Sequence, residues 1–543
     1  MQRSIRAIQR SIGTVQRSIG ATTISPQAAT QRRAAQRGER RAPSLTARRA
    51  LSHARLRRVW VIGLVWLSAS SAATFDAAPA ARRTVQAAEG SADDRTGDAQ
   101  RRPNVVVFLA DDVDWRDFGC YGNDAIRTPH IDRLAAAGLR CQTAMLTTPQ
   151  CSPTRISVLT GQYAHTVRCE DLHTPLPPGV PLVTRDLAEA GYFCGHMRKT
   201  HYGPHGMEQF QWYSRNVAAL PDFLAARGEQ PFFLWVGFND AHRPYAPGAV
   251  SPPHDPDTVK VPPYLVDSPE TRADLALYYD EISRMDGDIG TMIETLAEHD
   301  LLDNTLVVFF CDNGRPFPRD KGSLYDSGIG TALVFHWPAV IAPGTVYEGL
   351  VSVIDLAPTW LDAAGLKVPE RMAGHSLLPM LRDPTLPGRQ HAFSERNWHN
   401  CDEHMRSVRS PRYKLIRVAY TERMYGNPAD LLASPSWQSL LAAREAGALT
   451  SAQQVHFRQP RPAVELYDLE TDPYELENRA DDPQLAAVRA ELERALDAWQ
   501  AETDDFEPRF RRRADDVERL SGERHRRDVP PLEDDLPSAA GGQ

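Results

Sequence analysis

The sequence predicts an α/β protein built on a large, mostly parallel sheet. Two observations predict it: three apolar runs that each stop at a polar cluster, and helical segments that alternate with them. The first run, Asn104–Ala110 (NVVVFLA), ends in Asp111 and Asp112. The second, 231–238 (PFFLWVGF), ends in Asn239, Asp240 and His242. The third, Thr305–Cys311 (TLVVFFC), ends in Asp312, Asn313 and Gly314. An unbroken apolar run is what a strand needs when both of its faces are covered.

Helices are expected over 128–137, over 183–190 after a Pro-rich loop, and over 270–299. The last places Leu275, Tyr278, Tyr279, Ile282, Met285, Ile289, Ile293 and Leu296 at helical spacing. Strands alternating with helices imply parallel pairing. In such sheets ligands bind beyond the carboxyl ends of the strands. All three polar clusters fall there, so one shared site accounts for them.

Neighbouring residues on a strand point to opposite faces. Asp111 and Asp112 can therefore serve one site only where the backbone leaves the strand; a turn with capping carboxylates is the plainer alternative. Asp111, Asp112, Asp312 and Asn313 offer oxygen donors without thiolate or clustered His, which suits a hard cation. Calcium tolerates an irregular oxygen cage better than magnesium, although the donor set by itself leaves magnesium open.

The composition, 42% hydrophobic and 24% charged, is that of a globular protein. The net charge of −8 hides an asymmetry. Residues 1–88 hold sixteen Arg against Glu39 and Asp76, a net +14, and the remainder has 46 basic against 68 acidic residues, a net −22. Nucleic-acid binding needs a basic face, which an acidic body does not supply. Seven cysteines with no CxxC pair argue against a zinc ribbon or thioredoxin-type site, and their odd number leaves one unpaired.

The start of the chain is low in complexity, with QRSI repeated from Gln2, Gln9 and Gln16. Arg55, Arg57 and Arg58 then precede the apolar stretch 59–67 and a run of small residues, a signal-peptide pattern. That stretch falls short of the about 20 residues that span a membrane. The expected mature protein is exported, periplasmic or secreted, with no stable membrane insertion after cleavage. Residues 506–543 form a mixed-charge tail without apolar periodicity, expected to be disordered.

Cys151 opens the segment 151–161 (CSPTRISVLTG). Ser152 is expected as the N-cap and Pro153 as the first residue of a helix, which puts Cys151 where partial positive charge favours an anion. Cys-x-Pro-x-Arg followed by Leu-Thr-Gly resembles the formylglycine signature of the sulfatase family. Further landmarks follow in order: Asp111 and Asp112, Lys199 and His201, His242, Asp312 and Asn313, and Lys321. The resemblance runs over 103–499 and includes 465–468 (ELYD) with Asp472 and Pro473. The stretches 312–318 (DNGRPFP), 199–204 (KTHYGP), 271–276 (TRADLA) and 405–408 (MRSV) look closest to the heparan N-sulfatase (sulfamidase) branch. The segment between Gly161 and Leu182, and residues 330–332, depart from that pattern.

The resemblance implies a formylglycine at position 151, made by a formylglycine-generating or anaerobic sulfatase-maturing enzyme. Its aldehyde hydrates to a diol; one hydroxyl attacks sulfur and expels the alcohol or amine, and the other collapses to release sulfate. It also implies one Ca2+ held by Asp111, Asp112, Asp312, Asn313 and residue 151, acting as a Lewis acid. Arg155 would hold the diol, Lys199 and Lys321 the sulfuryl oxygens. His201 would move a diol proton, and His242 would protonate the leaving group. Asp240, His165, His173, His399 and His404 are possible pocket residues. The substrate would be a sulfated saccharide such as N-sulfoglucosamine.

The implied fold is an alkaline-phosphatase-like sandwich, with a catalytic domain over 103–388 and a smaller α+β domain over 389–505. The latter would carry an antiparallel sheet and a last helix over 484–499, with Trp499 as a packing anchor. Competing readings are an O-sulfatase, a two-metal phosphatase or phosphodiesterase of the same superfold, and a glycan-binding protein without catalysis.

Overall fold

Strand β1 (Asn104–Ala110) is buried at every position, because it is paired on both edges and covered on both faces. A computed structural model describes residues 102–509 and 511–525. The remaining strands of the larger sheet are β2 (Leu139–Met145), β3 (Phe193–Arg198), β4 (Trp212–Ser214), β5 (Phe232–Gly237), β6 (Thr305–Cys311), β7 (Leu333–His336) and β8 (Thr345–Ser352). Their order is β4-β3-β5-β1-β6-β7-β2-β8. Pairing is parallel except at β7, which runs antiparallel to both β6 and β2.

Strand alternation divides the core in two. Val105, Val107 and Leu109 join Trp235, Phe310 and Trp360 on one face. Val106, Phe108 and Ala110 join Val236, Phe309 and Tyr278 on the other. Each fully buried Val, Leu or Phe contributes about 1.5–3 kcal/mol, so this sandwich is a rigid base for the loops at its edge.

The helices include α1 (Pro129–Ala137), α2 (Cys151–Thr160), α3 (Val183–Glu189), α4 (Pro269–Glu298) and α5 (Leu356–Ala363). Helix α4 starts where Ser268 accepts a hydrogen bond from Thr271 N and Pro269 fits the first turn. Its expected apolar stripe is buried, apart from the partly exposed Ile293.

A smaller antiparallel sheet, order β12-β11-β10-β9, follows. It comprises β9 (Ala392–Arg396), β10 (Met405–Arg409), β11 (Tyr413–Val418) and β12 (Val464–Asp468). The last helix, α6 (Ala486–Glu502), buries Leu492, Leu496 and Trp499 against it. Trp499 stacks on Phe393 at 5.3 Å and meets Tyr163 edge-on at 5.0 Å, as a packing anchor does. Together these observations give the expected α/β architecture, a large mostly parallel sheet with a small antiparallel companion.

One expectation is corrected: residues 511–525 of the supposed disordered tail pack on the body. Val517 is buried, Trp437 Nε1 donates to Leu520 O at 2.9 Å, and Trp398 Nε1 donates to Ala514 O at 3.0 Å. Arg519 is clamped by Glu403 at 2.8 Å and Asp515 at 2.8 Å. The segment has no apolar period because charge pairs and backbone hydrogen bonds hold it. Arg519→Ala leaves buried carboxylates underpaired, at a cost of about 3–5 kcal/mol. Thermal unfolding of the variant is expected several degrees below that of the parent, and an unchanged midpoint would mean the tail contributes nothing.

The repeat, the signal peptide and residues 526–543 lie outside the described residues. Among the described residues no helix is long and apolar enough to cross a membrane. The seven cysteines are all free thiols, so none of them pair with each other.

Candidate active site

The backbone leaves β1 at Asp112, whose φ of 63° is left-handed. That turn lets two successive aspartates face one site, the condition that strand alternation imposes. Asp312 and Asn313 follow β6 directly. Asp312 N donates to Ala110 O at 3.0 Å, and Val113 N to Asn313 O at 3.1 Å, so the two strand ends are laced together. The carboxylates of Asp111, Asp112 and Asp312 bring oxygens within 4.8 Å of one another, and all three are fully buried.

Cys151 is the first residue of α2, with Gln150 as N-cap. This corrects the expected register by two residues. Ser152 does not cap the helix; its Oγ accepts from His173 N at 2.8 Å and ties the helix start to the 165–175 loop. Gly161 ends the helix in the left-handed conformation at φ 66°, which explains the Thr-Gly that closes the signature. Arg155 lies one turn after Cys151, hence on the same helix face. Its Nε donates to Asp312 Oδ2 at 2.9 Å, and Nη1 donates to Lys199 O at 3.1 Å. A Cβ at Gly237 would lie 2.5 Å from both Arg155 Nη1 and Lys199 O, so the end of β5 must be glycine.

Cations face each carboxylate. Lys199 Nζ donates to Asp111, and Lys321 Nζ donates to Asp112 at 2.7 Å and to Asp430 at 2.8 Å. Burial, with Asp111 beside it, pushes the Asp312 carboxyl up to about 7. Burial acts the same way on Asp111, but Lys199 and Arg155 outweigh it and hold that carboxyl low. The Cys151 thiol is buried with Leu172 and Trp398. Burial is the dominant influence on it, ahead of Lys199 and Asp111, and pushes the thiol up to about 12.

His242 Nδ1 lies 2.6 Å from Arg243 O. A carbonyl only accepts, so Nδ1 carries the proton and Nε2 faces Asp112 and Asp430, each at 3.8 Å. Burial, then Lys199 and Arg155, lower His201 to about 2, so its ring is neutral. His173 lies against it, with ring centroids 4.8 Å apart. Lys199, His201 and His242 line a cleft of about 700 Å³ that reaches Asp111.

All ten sequence-predicted residues therefore meet at one sheet edge. The additional histidines separate. His173 lies beside His201, and His399 is buried where Lys321 and Asp430 act on it. His165 instead bonds Glu395 at 3.0 Å and Thr503 O at 3.2 Å, and His404 packs near Tyr420. Asp240 is on the cleft, held by Arg198 and Arg284. Sequence reasoning missed Asp430. It comes from the long excursion between β11 and β12, and its only local signal is the turn-forming stretch 426–428 (GNP).

A divalent hard cation fits these donors. Asp111 Oδ1 and Asn313 Oδ1 are buried oxygens with no hydrogen-bond partner among the described residues, and Asp111, Asp112, Asp312 and Asn313 all offer oxygen. Unpaired buried carboxylate oxygens are costly unless a cation meets them.

A family model described as Sulfatase matches residues 103–366, and one described as N-sulphoglucosamine sulphohydrolase, C-terminal, matches 317–436. The chain is 31% identical over 466 residues to the N-sulphoglucosamine sulphohydrolase of Homo sapiens, covering 75% of this chain and 92% of that protein. It is 28% identical over 462 residues to an ulvan-active sulfatase of Formosa agariphila, covering 73% and 74%. Two solved structures share the fold. BT4656 in complex with D-glucosamine-2-N,6-O-disulfate matches at TM-score 0.55 and 18% identity, covering 75% of this chain and 99% of that one. A phosphonate monoester hydrolase from Silicibacter pomeroyi matches at TM-score 0.57 and 21% identity, covering 74% and 96%.

Proposed function

The chain belongs to the sulfatase family of sulfate ester and sulfamate hydrolases, and we propose that it removes the N-sulfate from a terminal glucosamine of a sulfated glycan. The observation that carries this reading is the ring of three carboxylates and three cations around Cys151, in a chain similar over 75% of its length to an N-sulphoglucosamine sulphohydrolase.

A neutral thiol with a pKa near 12 is a poor nucleophile, which favours conversion of Cys151 to formylglycine by a maturing enzyme over direct attack by sulfur. Asp111, Asp112, Asp312, Asn313 and residue 151 would hold one calcium ion, which supplies Lewis-acid polarisation when bound. With Asp111 satisfied in that way, Lys199 can turn to a sulfuryl oxygen, and Lys321, still held by Asp430, can neutralise another. Arg155, fixed by Asp312 and by Lys199 O, positions the nucleophilic oxygen of residue 151. Neutral His201 can hydrogen-bond that oxygen's hydroxyl and orient it. His242, whose Nδ1–H is anchored on Arg243 O, presents Nε2 as the acid for the departing amine.

A two-metal phosphatase reading has one observation in its favour: Asp112, His242 and Asp430 also bring ligand atoms within 4.8 Å of one another. Lys321 Nζ already lies between two of these carboxylates, so an ammonium stands where a second metal would bind. One metal ion per chain is expected by elemental analysis; two zinc or manganese ions would restore the rival.

The test is a screen of N-, 2-O-, 3-O- and 6-O-sulfated saccharides, in which release from the N-sulfated sugar is expected. Desulfation confined to O-sulfated sugars would move the protein to the O-sulfatase reading. His242→Ala is expected to lower N-desulfation by about 10²- to 10⁴-fold and to spare an aryl sulfate, whose phenolate leaves without a proton. Equal losses on both substrates would remove His242 from the acid role.

A further inference from the structure

We propose that Arg215 and Tyr213 form a second recognition site in the catalytic cleft, for an anionic group on the sugar next to the one that loses its sulfate. This rests on the sulfated-glycan reading above.

Both residues line the same cleft as Lys199, His201 and His242. Ligand pockets of roughly 300–1,000 Å³ hold drug-sized molecules. A cleft of about 700 Å³ therefore has room for more than one sulfated sugar unit. Strand β4 runs parallel to β3, so its carboxyl end delivers Ser214 and Arg215 to the edge of the sheet that carries the catalytic residues.

What distinguishes Arg215 is its lack of a counter-charge. Arg198 is matched by Asp240 at 3.2 Å and Asp288 at 3.0 Å. Arg243 is bound through two 2.7 Å hydrogen bonds to Asp274, and Arg284 is paired with Asp240 and Glu281. Arg215 is exposed and forms no hydrogen bond or ion pair among the described residues. In a body whose net charge is strongly negative, an unneutralised guanidinium at a cleft wall is a local anion anchor.

Its base is ordered. Ser214 Oγ donates to Asn216 O at 3.2 Å, and Asn216 caps the following helical turn by accepting from Ala218 N at 3.1 Å. Tyr213 is 42% exposed, and its hydroxyl donates to Arg198 O at 3.3 Å, which fixes the ring in the cleft wall. An exposed aromatic ring and an unpaired guanidinium lining one cleft suit a sugar ring that carries a carboxylate or a sulfate, the two groups that match the planar donor fork.

The experiment compares Arg215→Ala with the parent enzyme on four substrates. They are an N-sulfated disaccharide whose second sugar bears a carboxylate, its carboxyl-reduced form, the same disaccharide bearing a sulfate there, and 4-nitrophenyl sulfate. Loss of a charge-assisted contact at an open rim is expected to raise KM for the charged disaccharides by roughly tenfold. The reduced disaccharide and the aryl sulfate should not change. Whichever charged form loses more identifies the anion. A KM within twofold of the parent on both charged forms overturns the site. A parent enzyme that ignores N-sulfated sugars overturns the substrate reading separately. The same comparison is then made on the O-sulfated disaccharide it does cleave, with the same tenfold loss expected.

Discussion

Cys151→Ala is expected to lower sulfate release by roughly 10⁴-fold or more, as loss of a nucleophile does elsewhere, while the fold survives. Alanine cannot be oxidised to an aldehyde, so no diol forms at position 151. The surrounding charges would be untouched: Lys199 and Lys321 keep their carboxylate partners, and Arg155 keeps Asp312. The apolar cluster around the side chain is small, Leu172 and Trp398, so removing one sulfur costs about 1 kcal/mol. Mass spectrometry of the parent enzyme checks the premise directly, because conversion replaces the CH2–SH group by an aldehyde. Activity of the alanine variant within tenfold of the parent would remove residue 151 from the nucleophile role. A parent enzyme that is fully active with an intact thiol would remove formylglycine.

The second large effect concerns the cation. Asp312→Ala is expected to lower activity by roughly 10²- to 10³-fold or more, the scale seen when one electrostatic stabiliser is removed. It should also destabilise the protein, because it takes one partner from a buried pair. Arg155 loses its contact at 2.8 Å and is left with Asp111 at 3.8 Å. Breaking such a pair costs about 3–5 kcal/mol. Calcium separates the two consequences. After chelation of the parent enzyme, added calcium should restore activity and raise the unfolding temperature, by up to about 2.7 kcal/mol of stability at a hundred times its dissociation constant. In the variant the calcium-dependent rise should disappear, although the protein still folds at low temperature. Zinc restoring full activity where calcium does not would overturn the argument from oxygen donors.

Much of this molecule is legible along the chain because the relevant physics is local. A strand covered on both faces must be apolar throughout, and where Asn104–Ala110 and Thr305–Cys311 stop being apolar the chain has left the sheet. The positions of Asp111, Asp112, Asp312 and Asn313 at a sheet edge follow from that. The same holds for the long helix, whose stripe from Leu275 to Leu296 faces the core. The spacing of Cys151 and Arg155 is one helical turn, so their shared face was also determined by sequence.

What the sequence did not determine depends on partners distant along the chain. The start of α2 differs by two residues from the expected one because Ser152 is engaged by His173 N, twenty-one positions away. Asp430 reaches Lys321 across a gap of 109 residues, and no pattern around it marks a carboxylate aimed at that lysine. His165 and His404 are as polar in sequence as His173, yet packing against the smaller sheet takes them out of the site. Residues 511–525 look like a solvated tail because their charges are matched by Glu403, Asp402 and other residues about a hundred positions earlier. Arg215 is one of many arginines until the tertiary structure pairs its neighbours and leaves it unpaired. Local apolar patterning determined where the strands stop and which side chains stand at their ends. Only the three-dimensional pairing of charges decided which of those side chains are neutralised and which remain free to meet a ligand, because electrostatic pairing depends on distance in space and not on separation along the chain.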